Sequence, residues 1–150
     1  MTRAAPLIAA ALLLAAGCNT AINRSLRLED GTTHREGLTT VNGSVHIGAD
    51  CRVGGAARTV NGRVSVGDDS EVETLQAVNG RIDVGQRVSV EGDVESVNGG
   101  ISIGAGSRVD GEVQSVNGTV ELVDVDVRYD VSTYNGDIDL LDGTVVGRDV

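Results

Sequence analysis

The side chains that could carry out chemistry are few and lie far apart along the chain. The histidines are His34 and His46, and the cysteines are Cys18 and Cys51. An enzyme site needs a nucleophile beside a base, a metal cluster or polar groups that converge in a cleft. His46 has an outward position in an alternating apolar stretch and His34 lies in a polar stretch, so both are predicted to be surface residues. The sequence therefore predicts no catalytic residue and no cofactor.

Acidic residues cluster in two places that could attract a cation. They are Asp68, Asp69, Glu71, Asp124, Asp126 and Asp130. Calcium takes roughly six to eight oxygen ligands, and neither cluster matches an EF-hand loop or a glycine-rich calcium repeat. We interpret both clusters as solvated negative charge and predict no metal site.

The first residues have the layout of a secretory signal. Arg3 precedes an apolar run, residues 4–16, that is shorter than the roughly 20 residues needed to cross a bilayer. The segment Leu14-Ala15-Ala16-Gly17-Cys18 resembles the lipobox of bacterial lipoproteins. The resemblance implies that residues 1–17 are removed, that Cys18 is acylated, and that residues 18–21 form a short tether. A plain secretory signal followed by an unmodified cysteine is the alternative.

Acylation of Cys18 would attach the protein to a membrane, because each buried methylene contributes about 0.8 kcal/mol. Asn19 follows the cysteine rather than aspartate, and by resemblance to the sorting of lipoproteins this implies the outer membrane. Cys51 then remains as a single thiol in an oxidising compartment. It is expected to be an inert, partly buried residue, with pairing to another chain as the alternative.

The composition excludes several classes of function. Without residues 1–17 the chain has 22 acidic and 11 basic residues, a formal net charge of −11, which argues against binding nucleic acid. It has no Trp or Phe, and its only tyrosines are Tyr129 and Tyr134, so stacking platforms are nearly absent. One domain is expected, with a core of Val, Ile, Leu and Ala.

A repeat built on Val-Asn-Gly dominates the chain from residue 22 to residue 150. Its asparagines follow one another at intervals of 18 or 19 residues. They are Asn23, Asn42, Asn61, Asn79, Asn98, Asn117 and Asn135. A unit of this length cannot bury its own apolar side, so stacked units are expected to form a continuous core. The sequence predicts one repeat domain of about seven coils.

Within each coil, the residues three and five after the asparagine are apolar, which predicts a strand with one face inward. These pairs are Val45/Ile47, Val64/Val66, Ile82/Val84, Ile101/Ile103, Val120/Leu122 and Ile138/Leu140. Further apolar positions near eleven and fifteen predict a second and a third short strand. The predicted fold is an all-β, parallel β-solenoid, with a right-handed coil favoured but the handedness left open. An antiparallel meander of hairpins is the alternative, because Asn-Gly is also a hairpin signal.

The repeated asparagines have a structural explanation. Stacked side-chain amides hydrogen-bond along a column as an asparagine ladder. Asn and Gly also tolerate left-handed backbone angles, so the Asn-Gly step is expected to form the sharp corner of each coil. We therefore predict a structural column rather than a ligand site.

Two families resemble this repeat. The units Thr59-Val60-Asn61-Gly62-Arg63-Val64-Ser65-Val66 and Ser96 to Ile103 resemble the adhesin-like repeats of bacterial envelope proteins of the DUF4097 type. The segments Val90 to Val94 and Val109 to Val113 resemble bactofilins, which are polymer-forming β-helical proteins. Neither family has catalytic residues to transfer.

The resemblance implies a non-enzymatic, membrane-anchored, structural or adhesin-like protein of the cell envelope, facing the periplasm or the cell surface. Its expected partners are the membrane, an envelope glycan or another protein. The alternatives are a bactofilin-like scaffold that associates end to end and, third, a glycan-processing β-helix enzyme. The seventh coil ends near Val150 without a cap, which predicts either contact with another molecule or a longer natural chain.

Overall fold

The computed structural model describes residues 20–147, and side chains from Ile22 onward. This part of the chain contains 19 strands and no helix. The strands are β1 (Thr20–Ala21), β2 (Leu26–Leu28), β3 (Thr33–His34), β4 (Leu38–Asn42), β5 (Val45–Ile47), β6 (Arg52–Asn61), β7 (Val64–Val66), β8 (Glu71–Asn79), β9 (Ile82–Val84), β10 (Ser89–Val90), β11 (Val94–Asn98), β12 (Ile101–Ile103), β13 (Arg108–Val109), β14 (Val113–Asn117), β15 (Val120–Val123), β16 (Asp126–Val127), β17 (Val131–Asn135), β18 (Ile138–Leu141) and β19 (Val145–Val146).

Every strand pair is parallel and joins one coil to the next, so the chain is a parallel β-solenoid, as predicted. The hairpin meander is excluded for the described residues. A seven-stranded sheet contains one strand of each coil, in the order β18-β15-β12-β9-β7-β5-β2. Seven strands separated by one turn each give a solenoid of about six turns.

Each coil has three faces. The first face is the seven-stranded sheet. The second consists of short strands such as β10, β13 and β16, and the third of longer strands such as β4, β11 and β14. The second and third faces belong to one twelve-stranded sheet, because β6 and β8 run around the corner between them.

The core consists of inward columns of aliphatic side chains from all three faces. Ile82 and Ile101 are fully buried on the first face, Val90 on the second and Val94 on the third. Full burial of such a side chain contributes roughly 1.5–3 kcal/mol. Since each coil contacts only its neighbours, this stabilisation is spread along the rod. The inward pair of the seventh coil, Ile138 and Leu140, is exposed because no described coil stacks on it.

A column of buried hydroxyl groups lies on the third face, next to the corner that carries the asparagines. Thr59 Oγ1 donates to the carbonyl oxygen of Gly43 at 2.7 Å, and Ser96 Oγ donates to that of Gly80 at 3.2 Å. Thr40 and Ser115 make the same contact in their coils. The hydroxyls therefore satisfy a carbonyl of the preceding coil where the chain turns.

Ala77 interrupts this hydroxyl column, since it pairs with Thr59 on one side and Ser96 on the other. We predict that Ala77→Ser raises the free energy of unfolding by about 1 kcal/mol, because the new hydroxyl is aligned with the Gly62 carbonyl oxygen. The midpoint of urea denaturation measures the change. Ala57→Ser is the matched control, because Ala57 is buried between Leu38 and Leu75 in an apolar column, and it should destabilise. A lower midpoint for Ala77→Ser would contradict the prediction.

The sequence predicted the sharp corner of each coil at the Asn-Gly step, but the structure has it elsewhere. In every coil, one residue between the first and second faces has a left-handed φ between 49° and 75°. These residues are Gly31, Asp50, Asp69, Arg87, Gly106, Asp124 and Asp142. In the asparagine column only Asn23 has such a φ. Glycine recurs after the asparagine for a steric reason and not because of its backbone angle. A Cβ at Gly62, Gly80 or Gly99 would lie closer than 3.0 Å to a backbone carbonyl of the preceding coil.

Two coils have 18 residues instead of 19, and the missing residue belongs to a different corner in each of them. In the coil after Asn61 the loss lies between the second and third faces, where the partner strand β6 bulges between Val53 and Ala56. In the coil after Asn117 it lies between the first and second faces, because Arg108 pairs with Asp126. The buried corner position next to Ser107 is therefore occupied by Val125, although Asp126 is the residue nine after Asn117, as Ser107 is nine after Asn98.

Candidate functional site

The seven asparagines form a hydrogen-bonded ladder on the outside of the rod. All seven side chains are exposed, and from Asn42 onward each amide nitrogen donates to the Oδ1 of the asparagine in the preceding coil. The N···O distances are 2.6 Å for Asn42 to Asn23, 2.7 Å for Asn61 to Asn42, 2.9 Å for Asn79 to Asn61, 2.8 Å for Asn98 to Asn79, 2.8 Å for Asn117 to Asn98 and 2.9 Å for Asn135 to Asn117.

The ladder has a direction and spare hydrogen-bonding capacity. A carboxamide has two N–H donors and two acceptor lone pairs. Each internal asparagine, such as Asn79, uses one donor and one lone pair within the ladder. The other donor and lone pair of each exposed side chain remain available to solvent or to a ligand. The column therefore offers the same pair of groups once per coil.

A row of exposed valines runs beside the ladder, and the sequence analysis did not identify it. The valines before Asn61, Asn79, Asn98 and Asn117 point outward, with 37% to 41% of their surface exposed. We define the valine–asparagine stripe as Val60, Val78, Val97 and Val116 with Asn61, Asn79, Asn98 and Asn117. The signal was present in the sequence, since each of these valines follows a buried inward residue and strands alternate. The Val-Asn-Gly repeat was used to predict the length of the coil, but not the direction of its valine side chain.

The stripe itself carries no charged side chain, but charged side chains such as Arg58 and Glu95 point outward beside it on the third face. On the first face, Arg63 Nε lies 3.2 Å from Asp83 Oδ2 and Arg81 Nε lies 2.9 Å from Asp83 Oδ1. Exposed pairs of this kind contribute little to stability, about 0–1 kcal/mol. The eight residues of the stripe are uncharged, and they repeat about every 4.8 Å along the rod.

The C-terminal end of the described rod is apolar and acidic. Ile138 is 38% exposed and Leu140 is 46% exposed, whereas Leu26 and Leu28 in the first coil are 8% and 2% exposed. Leu141, Val145 and Tyr134 are exposed there as well. Residues 117–147 contain seven acidic residues and one basic residue, whereas residues 22–60 contain four acidic and five basic residues. The charge is therefore polarised along the rod axis.

His34 is not the surface residue that the sequence analysis expected. It pairs with Val53, so it stands in the inward column of the second face, where the other coils have valine. Its ring is partly exposed, but Nε2 is buried and has no hydrogen-bond partner within the described part of the chain. The prediction failed because residues 30–37 show no apolar alternation. His46 lies outward on the first face in line with Ser65, as predicted.

The acidic cluster at Asp68, Asp69 and Glu71 is engaged with arginines and with the backbone. Asp69 makes a two-pronged contact with Arg87, at 2.7 and 2.9 Å, and this hydrogen bonding lowers the pKa of the Asp69 carboxyl. Asp68 Oδ1 accepts from the backbone N–H of Gln86 at 2.8 Å. Glu71 pairs with Arg52 at 2.7 Å. Among residues 20–147, no group of three or more His, Cys, Asp or Glu side chains is arranged to hold a metal ion.

Cys51 is covered by the coil rather than accessible. It is 2% exposed, and its Sγ donates to the carbonyl oxygen of Glu29 at 3.1 Å. Burial raises the pKa of the Cys51 thiol. Its backbone N–H donates to Ser70 Oγ at 3.0 Å, so it occupies the place of a structural serine. A protonated, covered thiol is poorly placed to pair with another chain.

The predicted signal and lipidation residues, including Cys18 and Asn19, lie outside the described residues, as does Val150. Between residues 20 and 147, no helix is present that could pass through a bilayer. Comparison of the chain with models of protein families, with curated proteins and with solved structures finds no match.

Proposed function

We propose that this protein is a lipid-anchored, non-enzymatic rod of the cell envelope that binds an extended envelope glycan along the valine–asparagine stripe. The anchor is Cys18, and the membrane is the outer membrane. One observation carries the proposal: an uncharged row of exposed valines beside exposed amides, repeated without interruption over four coils.

A glycan chain fits the chemistry of the stripe. Sugar rings present apolar C–H surfaces and many hydroxyl or acetamido groups. The valines supply apolar contact, and the spare donor and acceptor of each amide supply hydrogen bonds. A single coil would bind weakly, but contacts repeated along one polymer add through a high effective concentration. The absence of charge on the stripe favours a neutral polymer over nucleic acid or an acidic polysaccharide.

The test is co-sedimentation of delipidated protein with isolated peptidoglycan sacculi and with purified outer-membrane polysaccharide. Val60→Asp with Val97→Asp places charge on the stripe in two alternate coils, and should reduce binding at least about tenfold, since the apolar contact with the sugar rings is lost and a carboxylate would have to be desolvated. Ser65→Asp with Ser102→Asp is the matched control on the first face, and should bind like the unmodified protein. Denaturant unfolding verifies that both variants are folded. Equal binding by the two double variants, or no binding by the unmodified protein, contradicts the proposal.

The anchor is tested separately by metabolic labelling with a fatty acid. Cys18→Ser should abolish the label and release a folded protein, because the described coils begin beyond this residue. Label that remains on the Cys18→Ser protein would show that the lipid is attached elsewhere or that the signal was misread.

A second candidate, an end-to-end scaffold, is favoured by the exposed seventh coil. Head-to-tail stacking would continue the direction of the asparagine ladder by placing Asn23 of one copy over Asn135 of the next. It would also bring Arg27 over Asp139, since both lie in the same outward column of the first face. Sedimentation of the delipidated protein at low and high salt tests this candidate, because such pairing is weakened by salt. A monomer at high concentration and low salt rules it out.

A further inference from the structure

Six of the asparagines in the ladder are followed by glycine, and this pair of residues is chemically labile. The backbone nitrogen of the glycine can attack Cγ of the asparagine side chain. The new C–N bond closes a five-membered succinimide, and the side-chain nitrogen leaves as ammonia with the proton of the backbone amide. Water then opens the ring at either carbonyl and gives aspartate or isoaspartate. Asparagine is accordingly among the thermolabile residues of proteins.

We propose that the coil stacked on each of five Asn-Gly steps protects that step from spontaneous deamidation, so that in the chain of residues 1–150, where no described coil covers Asn135, this asparagine is the site that reacts first. The proposal concerns the protein's own backbone chemistry and does not depend on glycan binding, whereas the end-to-end stacking of the second candidate would cover Asn135, so the test is made at a protein concentration where the chain is monomeric. The proposal follows from three features of the ladder: the state of the glycine N–H, the state of the asparagine carboxamide, and exposure to water.

The glycine nitrogen is occupied at each protected step. Its N–H donates to the carbonyl oxygen of the asparagine in the following coil. These bonds are Gly43 to Asn61 at 3.1 Å, Gly62 to Asn79 at 3.2 Å, Gly80 to Asn98 at 3.1 Å, Gly99 to Asn117 at 3.0 Å and Gly118 to Asn135 at 3.0 Å. Attack on the side chain requires this N–H to leave its acceptor and lose its proton. A protected step can therefore react only after local separation of two coils.

The carboxamide of each protected asparagine is also held from both sides. Asn98, for example, donates through Nδ2 to Asn79 and accepts at Oδ1 from Asn117. To bring Cγ over the glycine nitrogen, the side chain must rotate and break both bonds. Such rotation is opposed by the ladder at Asn42, Asn61, Asn79, Asn98 and Asn117.

Asn135 lacks this protection on one side. It donates to Asn117 at 2.9 Å, but no described residue donates to its Oδ1. The N–H of Gly136 likewise has no acceptor among residues 20–147. Both residues are exposed to solvent, so water is available for the hydrolytic step.

The product would weaken the end of the rod. An aspartate at position 135 has no N–H to donate to Asn117 Oδ1, and its charge would face that oxygen. Isoaspartate also inserts a methylene into the backbone where β17 ends, so the register of β18 on β15 would be disturbed. Deamidation at Asn135 would thereby loosen the seventh coil and expose Asn117 next.

Trypsin makes the test direct, because its cleavage after arginine puts each Asn-Gly step in a separate peptide. These peptides span residues 36–52, 59–63, 64–81, 88–108, 109–128 and 129–148. The folded protein is aged in mildly alkaline buffer, digested, and analysed by mass spectrometry for loss of ammonia and for isoaspartate. The same ageing in concentrated denaturant gives the intrinsic rate of each step in the unfolded chain.

The ratio of folded to unfolded rate should be near one for Asn135 and at least about tenfold lower for the other five, since those must open locally before reacting. Similar ratios at all six steps would overturn the proposal. If the other five steps were as slow in the unfolded chain as in the folded protein, the difference would come from local sequence rather than from stacking, and this result would also overturn the proposal.

Discussion

Ile101→Asn is expected to lower the free energy of unfolding by about 4 kcal/mol or more, whereas the same substitution at Ser102 should change it by no more than about 0.5 kcal/mol. Ile101 is fully buried in the middle of the first face, paired with Ile82 on one side and Val120 on the other. The substitution removes an aliphatic side chain and buries a carboxamide in a purely apolar column. Ser102 is the next residue along β12 and points outward.

Urea denaturation followed by circular dichroism measures both variants. A solenoid with nearest-neighbour stabilisation need not unfold in one step, so the slope of the transition is compared as well as its midpoint. A loss of about 4 kcal/mol is a large part of the stability of a domain of this size, usually 5–15 kcal/mol. The Ile101→Asn protein is therefore expected to populate unfolded or frayed forms without urea. Equal midpoints for the two variants would show that the facing of β12 has been assigned wrongly.

The fold could be predicted because its determinants are local and repeated. The apolar pairs at Val45/Ile47, Val64/Val66 and Ile101/Ile103 give strand alternation, and their common phase relative to the asparagine gives parallel stacking. A single coil would leave the interpretation ambiguous between a hairpin and a solenoid. The ambiguity disappears only when the same phase recurs in successive coils.

What could not be predicted are the places where one coil departs from the average. A step of 18 residues shows that a residue is missing but not at which corner, and the structure places the two losses at different corners. His34 was misassigned for a related reason, because only pairing with Val53 reveals that it stands in an inward column. These features depend on register with the neighbouring coil, and register is a property of the stack rather than of the local sequence.

The candidate site was only half visible in the sequence. The repeated asparagines predicted an exposed polar column, but nothing in the residue type distinguishes the valines beside them from core residues. Alternation places Val78 and Val97 outward, next to the buried Ala77 and Ser96. Residue type gives the wrong prediction here, because valine in a β-rich sequence is usually assigned to the core. On this face the buried positions near the corner are occupied by small residues instead.

Gly99→Ala is expected to cost about 2 kcal/mol, although alanine generally suits a strand better than glycine. A Cβ at Gly99 would lie closer than 3.0 Å to the carbonyl carbon and oxygen of Gly80 in the preceding coil. That oxygen accepts from Ser96 Oγ, and the N–H of Gly99 itself donates to Asn117 at 3.0 Å. Relief of the clash requires backbone movement in a place where both coils are hydrogen-bonded, so these hydrogen bonds would be strained or broken.

Gly100→Ala is the matched control, since it adds the same methyl group one residue later. The positions that pair with Gly100 are occupied by Arg81 and Thr119, and the nearest atom to its Cβ would be the carbonyl oxygen of Thr119 at 3.0 Å. We expect this variant to be neutral or slightly more stable, because alanine restricts the unfolded chain. If Gly99→Ala were as stable as Gly100→Ala, the glycine of Val-Asn-Gly would not be required by close approach of the coils. Another explanation, such as a backbone angle adopted only during folding, would then be needed for its recurrence.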